Sequence, residues 1–257
     1  MGTVLVAGGT GTLGREVVRA LAAAGQSPRI ASRHPRPAGR PRDHEWAVVD
    51  YRSGAGMADA LAGAAAVVLA TSAFRDAPIV RTVAAAARAD THLVYVSIVG
   101  IDDIPMPYYA QKLRAEQALI SSARPWTILR ATQFHDLALG LARALARPPV
   151  MLLPRGLSLQ PVAAAEVGDR LAQLAAGDPA GRVPDLGGPQ VLQAAELAGA
   201  YLDAAGITRR MVTVPAPGRM MRALAAGANL TPEHADGRQT FAQFLAERLT
   251  PQASSPL

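Results

Sequence analysis

Along the first half of the chain, short apolar runs alternate with alanine-rich stretches of helical period, the pattern of a parallel sheet covered by helices on both faces. Thr3–Ala7 is a β-branched run that ends in glycines, and residues 15–24 follow with Val17, Val18, Leu21 and Ala24 at helical spacing before Gly25 closes the segment. Further strands are predicted at 28–32, 45–49, 66–70, 92–97 and 127–129, with helices at 57–62, 78–89 and 108–123 between them. Six strands joined by right-handed crossovers make one doubly wound α/β sheet. Past residue 131 the rhythm loosens into a helix at 137–146, a Pro148-Pro149 break, a strand at 150–153, and further helices with shorter strands at 182–186 and 211–214. Residues 1–135 are therefore expected to form the core. Residues 136–250 are expected as a smaller C-terminal substrate lobe over the sheet's C-terminal edge, and 251–257 as a flexible tail.

Composition narrows the chemistry. Half of the 257 residues are apolar and 18% are charged, which suits a globular chain with a sizeable core. The absence of cysteine removes disulfides, thiolate zinc sites and cysteine nucleophiles, and five scattered histidines form no ligand pair, so no metal is expected. No apolar run reaches the roughly 18 residues of a spanning helix, and the first residues lack the basic start of a secretory signal. A cytoplasmic protein without a membrane partner is expected. The net charge of +6 raises the question of nucleic acid, but the basic residues are scattered. Their one local run, Arg29, Arg33, Arg36, Arg40 and Arg42, is broken by three prolines and reads as a solvated loop, so no nucleic-acid partner is expected. Of the 26 basic residues one is a lysine, Lys112.

Two motifs carry the chemistry. Gly8-Gly9-Thr10-Gly11-Thr12-Leu13-Gly14 joins the first strand to the first helix, where bare amides at a helix N-terminus suit the diphosphate of a dinucleotide. No Gly-Lys-Ser/Thr follows, which disfavours a nucleoside-triphosphate loop. The second strand ends in Ser32-Arg33, where a carboxylate for the ribose 2′-hydroxyl of NAD would stand. A guanidinium there grips a 2′-phosphate, so NADP(H) is expected over NAD(H), against the plainer alternative that Arg33 belongs to the basic loop. Asp50-Tyr51 either flanks the adenine or caps a turn. The second motif is Tyr108-Tyr109-Ala110-Gln111-Lys112, which puts Tyr108 and Lys112 one helical turn apart. An ammonium there is expected to lower the phenol pKa from about 10 and make Tyr108 a proton donor for carbonyl reduction, while Lys112 holds the nicotinamide ribose. Ser97, at the carboxyl end of the fifth strand, is a candidate to polarise the carbonyl. Tyr109 is the alternative aromatic facing the cofactor, and Tyr-x-x-x-Lys also arises by chance.

These motifs, with Val96-Ser97-Ile98-Val99-Gly100 and Trp126 to Phe134, resemble the short-chain dehydrogenase/reductase superfamily, and within it the atypical NmrA-like NAD(P)H-binding proteins, similar to isoflavone reductases and NADPH:quinone reductases. The likeness covers residues 1 to about 135. It implies a Rossmann-type fold in which Thr10, Gly11, Thr12 and Leu13 meet the diphosphate and Arg33 the 2′-phosphate. Thr71, Ser72 and Ala73 would flank the ribose and nicotinamide, Lys112 the nicotinamide ribose, and Thr132, Gln133 and Phe134 the nicotinamide edge. The C-terminal lobe would roof the substrate cleft.

The expected activity is NADPH-dependent reduction of a carbonyl, quinone or aromatic polyketide-like small molecule, by a monomer or homodimer. Phe134, His135, Leu137, Leu157, Leu159 and Gln160 are candidates to line an apolar cleft, each with core packing as the plainer alternative. His135 is also an alternative proton donor. Some NmrA-like proteins bind the dinucleotide as non-catalytic sensors, which is the second reading. A sugar-nucleotide epimerase or dehydratase is the third, and it would need arginines such as Arg219 and Arg222 for a second diphosphate.

Overall fold

The computed structural model describes residues 2–39, 43–71 and 76–249. In chain order the elements are β1 Thr3–Ala7, α1 Thr12–Ala23, β2 Ser27–Ser32, β3 Glu45–Val48, α2 Met57–Leu61, β4 Ala64–Leu69, α3 Asp76–Ala86, β5 His92–Ile98, α4 Pro107–Ile120 and β6 Trp126–Ala131. They continue as α5 His135–Leu145, β7 Val150–Pro154, β8 Ser158–Leu159, α6 Ala164–Ala176, β9 Gly181–Arg182, β10 Leu192–Gln193, α7 Ala194–Ala205, β11 Arg210–Val214, α8 Arg219–Ala225 and α9 Phe241–Leu249, with a 3-10 turn at Pro232–His234. No helix among the described residues is long and apolar enough to cross a membrane.

The chain divides into two units, Met1–Ala131 with Ala164–Asp185, and Thr132–Ala163 with Leu186–Leu257. In the first, seven strands form one parallel sheet in the order β3-β2-β1-β4-β5-β6-β9. Strand order reverses between β1 and β4, the position at which open α/β sheets leave a crevice at their carboxyl ends. The central strands are buried on both faces and read as nearly unbroken apolar runs, whereas the edge strand β3 is partly exposed. One face of the sheet carries a core of Leu5, Val67, Leu69, Leu93, Tyr95 and Ile128 under Val80 and Val83 of α3 and Ala115 and Leu119 of α4.

The expected boundary at residue 135 needs correction. Residues 164–185 return to the sheet: α6 packs against α1, and β9 extends β6. Gly168 permits this approach, because a Cβ on it would lie 2.8 Å from Cβ of Glu16, well inside van der Waals contact. Arg19 of α1 adds ion pairs to Glu16 and to Asp169 of α6, at 2.8 and 2.7 Å. The expected strand at 182–186 is the shorter β9. The expected tail at 251–257 lies outside the described residues.

In the second unit β7 and β11 pair in parallel, and β8 and β10 pair antiparallel. Its own core joins Leu139 of α5, Met151 and Leu153 of β7, Tyr201 of α7, and Phe241 and Leu245 of α9.

Candidate cofactor and active site

The turn from β1 into α1 lies at the reversal of strand order. Gly8 has φ +83°, a conformation that L side chains rarely adopt, and a Cβ there would meet the carbonyl oxygen of Ala70 at 2.8 Å. Gly14 sits in the first turn of α1, where a Cβ would overlap the carbonyl of Gly8. The turn is therefore closed against side chains. It is pinned by the amide of Gly11 donating to Gly8 O at 2.9 Å, and the first bond of the helix runs from Arg15 N to Gly11 O at 3.0 Å. The amides of Thr12, Leu13 and Gly14 precede that bond and have no acceptor within the helix. Thr10, Gly11 and Thr12 are exposed, and no acidic residue stands in the first turn. This cradle fits the diphosphate of a dinucleotide: unspent donors, the positive end of a helix, and no Cβ in the way.

Around it the predicted partners fare differently. Arg33 is exposed just past β2, and its charge acts on the Tyr51 phenol. Ser32 Oγ accepts from the amide of His34 at 3.2 Å. Tyr51 is half-buried with its hydroxyl 3.5 Å from Ala31 O, and burial pushes its pKa up to about 12. Its ring therefore borders both the end of β2 and the glycine turn. Asp50 follows the plainer alternative: its carboxylate accepts from Arg52 N at 2.9 Å and from Ser53 Oγ at 2.7 Å, which caps a turn and holds its pKa low. Thr71 ends the β4 segment, with its amide 3.2 Å from where a Gly8 Cβ would sit. Ser72 and Ala73 lie outside the described residues.

Lys112 and Tyr108 share α4, but the ammonium is directed elsewhere. Lys112 is buried, and Nζ lies 2.8 Å from Oδ2 of Asp76 while donating to Thr71 O at 3.2 Å and Val96 O at 3.1 Å. Its three protons are thus taken. Burial lowers its pKa, and Asp76 opposes that shift. Tyr108 moves the opposite way from expectation. Burial and the negative charge of Asp76 push it up to about 12, and no lowering by Lys112 accompanies them. Tyr109, with its ring centroid 6.3 Å from that of Tyr108, is the more buried of the two, and burial raises its pKa as well. Ser97 Oγ is buried on β5 and makes no hydrogen bond among the described residues.

Sequence reading missed Asp76, Tyr95 and the cluster around Arg130. Asp76, at the start of α3, has the signature of an acid on the apolar stripe it shares with Val80 and Val83. Arg130 of β6 is buried in a bidentate pair with Glu116 of α4, at 2.9 and 2.8 Å, and also pairs with Asp102. A furrow of about 760 Å³ between α3 and α4, edged by Arg81, Arg114 and Arg124, includes neither the glycine turn nor Tyr108.

The candidates from the second unit are corrected by their own hydrogen bonds. Thr132 Oγ1 donates to Gln160 O at 2.5 Å and accepts from Gly188 N at 3.3 Å. Gln133 donates to Asn229 O at 3.0 Å and accepts from Gln160 N at 3.3 Å. The side chain of Gln160 donates to Gly188 O and Thr231 O and accepts from Thr231 N. These buried groups hold the unit together through satisfied hydrogen bonds. His135 is 1% exposed, bonds through Nε2 with Gln239 O at 3.0 Å, and stacks 5.1 Å from Phe244, so it belongs to a core and not to a cleft. Leu159 is in that core and Leu157 packs on it, as the plainer alternative had it. Phe134 is half-buried at the N-cap of α5 and bridges Val162 through its backbone. Leu137 is exposed.

Comparison with known proteins decides the family, since residues 8–152 match the NAD(P)H-binding family. The chain belongs to that family. Over 200 residues it is 31% identical to (4-alkanoyl-5-oxo-2,5-dihydrofuran-3-yl)methyl phosphate reductase of Streptomyces griseus, covering 75% of this chain and 70% of the relative. Among solved structures it is similar to an NADPH-dependent quinone oxidoreductase of Escherichia coli complexed with NADPH, with TM-score 0.81 and 18% identity over 95% of this chain and 99% of that one. It is also similar to the triphenylmethane reductase of Citrobacter complexed with NADP(H), with TM-score 0.67 and 21% identity over 97% of this chain and 96% of that one. The family, the strand order and the glycine cradle agree on a Rossmann-type NAD(P)H-binding protein.

Proposed function

We propose that the protein is an NADPH-dependent reductase of a carbonyl or quinone-type small molecule. The observation that carries this reading is the bare helix N-terminus at Thr12–Gly14, set where strand order reverses between β1 and β4 in a sheet whose β5–β6 side carries the half-buried phenol of Tyr108 on α4. The amides of Thr12, Leu13 and Gly14 bind the diphosphate, and Arg33 grips the 2′-phosphate of NADPH in preference to NADH. The nicotinamide supplies a hydride when bound. Tyr108, held as a phenol up to about pH 12, keeps its proton across the neutral range and donates it to the reduced oxygen. The buried hydroxyl of Ser97 is the candidate to polarise the carbonyl. Support for a small-molecule reductase comes from the names of the Streptomyces relative, a reductase of an unsaturated furanone phosphate, and the Escherichia coli neighbour, a quinone oxidoreductase.

The sensor reading is favoured by one observation, the three satisfied donors of Lys112, which leave the Tyr108–Lys112 pair without the electrostatics of an acidified phenol. Turnover separates the two. NADPH oxidation followed against quinones, ketones and unsaturated lactones should show at least one substrate, with Tyr108→Phe slowing it by about 100-fold, within the range for a lost general acid. Tight NADPH binding with no turnover on any of them would favour the sensor.

A further inference from the structure

The carboxylate of Asp76 is fully buried at the start of α3, and groups from three other segments converge on it. Lys112 of α4 contributes its ammonium at 2.8 Å, Tyr95 of β5 donates its hydroxyl at 3.1 Å, and Thr71, after β4, donates its hydroxyl at 3.0 Å. Lys112 spends its remaining protons on the carbonyls of Thr71 and Val96, and its ammonium lies 4.7 Å from the centroid of the Tyr95 ring. A buried ion pair is a poor stabiliser compared with an apolar pair of the same volume, so keeping one at this depth points to a task beyond packing. Its location supplies the task. The pair ties the ends of β4 and β5 together, and the end of β4 is the backbone packed against Gly8 of the cofactor turn, whose added Cβ would sit 2.8 Å from Ala70 O and 3.2 Å from Thr71 N.

We infer that Asp76 is the positioning residue of this site, acting through Lys112 on the strand ends that the cofactor turn rests on, and through its charge on Tyr108. This deepens the reading that Tyr108 is the proton donor and rests on it. The groups whose charge acts on Tyr108 are Asp76 from α3 and Tyr109 from its own helix. Lys112 stands one turn along that helix, paired with Asp76, and the charge of Tyr108 acts in turn on Tyr95 of β5. Asp76 raises Tyr108 directly and at the same time engages the one ammonium in the cluster. The site therefore presents a phenol, suited to proton donation in reduction. Alcohol oxidation, which needs the phenolate as base, would gain rate only as the pH rises.

The test compares wild type, Asp76→Asn and the double variant Asp76→Asn/Lys112→Met. The double variant leaves no uncompensated buried charge if the single one fails to fold. NADPH affinity is read by fluorescence, and the Tyr108 titration by NMR of tyrosine labelled with carbon-13 at Cζ, with Tyr108→Phe assigning the resonance. Circular dichroism checks that each variant is folded. The expected result in every folded variant is NADPH binding weakened by about tenfold, as for a displaced binding element, together with Tyr108 ionising at lower pH than in wild type. A folded variant that binds NADPH within twofold of wild type, or leaves the Tyr108 titration unmoved, overturns the inference. Failure of the cofactor reading looks different: wild type itself would then bind no NADPH, while the Tyr108 titration would still report the charge of Asp76.

Discussion

The turn after β1 and the segment after β6 both look like cofactor contacts in sequence, one rich in glycine and threonine, the other reading Thr132-Gln133-Phe134. In the structure they are opposites. The first leaves the amides of Thr12, Leu13 and Gly14 without helical acceptors and bars side chains from the turn. The second spends the side chains of Thr132, Gln133 and Gln160 on the backbone of residues 160, 188, 229 and 231. The two segments differ in the state of their donors and acceptors, open in the first and satisfied in the second.

Substitutions on each side sharpen that contrast. The largest effect is expected at Gly14→Ala, whose Cβ would overlap Gly8 O and force the turn apart. Stability should fall by roughly 3 kcal/mol, the upper range for overpacking, and NADPH affinity by about 100-fold as the amides lose their aim. Gln160→Leu should do the reverse in the second unit. Three buried hydrogen bonds are lost, so chemical denaturation should show a cost of about 3 kcal/mol, with NADPH affinity unchanged in the folded protein. If affinity fell and stability held, the polar network would be a binding site after all. Arg33→Ala is smaller, with NADPH binding weakened by about tenfold to thirtyfold and NADH binding unchanged, as loss of a charge-assisted phosphate contact implies. Equal loss for both nucleotides would remove Arg33 from the 2′-phosphate.

The smallest effect is a pH dependence in the first unit. His92 on β5 is buried with Nε2 2.8 Å from Thr127 Oγ1, and desolvation holds its pKa below the ordinary 6.5. The unfolded chain therefore takes up a proton before the folded one does as pH falls. The stability is fully present above the unfolded value and declines on acidification until the folded ring titrates, with a slope of at most about 1.4 kcal/mol per pH unit. Melting temperature should drop between pH 7 and 5.5, and His92→Gln should flatten that drop.

The sheet was legible because its central strands are buried on both faces and leave unbroken apolar runs: β1 lies at residues 3–7 as read, and β2 to β6 differ from their predicted spans by a few terminal residues. Ends were harder. The helix expected at 108–123 stops at Ile120, after which Ala123 adopts φ +53°, a left-handed turn that no glycine announces. The return of 164–185 to the sheet rests on Gly168 admitting α1, a tertiary fact with no local pattern. At the site, the glycine turn was readable because its constraint is backbone geometry within seven residues. The role of Lys112 was not, because its partner Asp76 lies 36 positions earlier and only the fold brings the two charges together. For the same reason the i, i+4 spacing of Tyr108 and Lys112 suggested a lowered phenol pKa where the surroundings raise it. His135, polar and just after a strand, was a fair candidate until Phe241 and Phe244 enclosed it.

The most direct measurement is calorimetric titration of the purified protein with NADPH and NADH. Saturable NADPH binding at micromolar or lower dissociation constant, with NADH weaker by at least about tenfold, is the result expected of a bare helix N-terminus backed by an arginine at the end of β2. Absence of binding heat for either nucleotide, from protein shown to be folded, would contradict the account at its root.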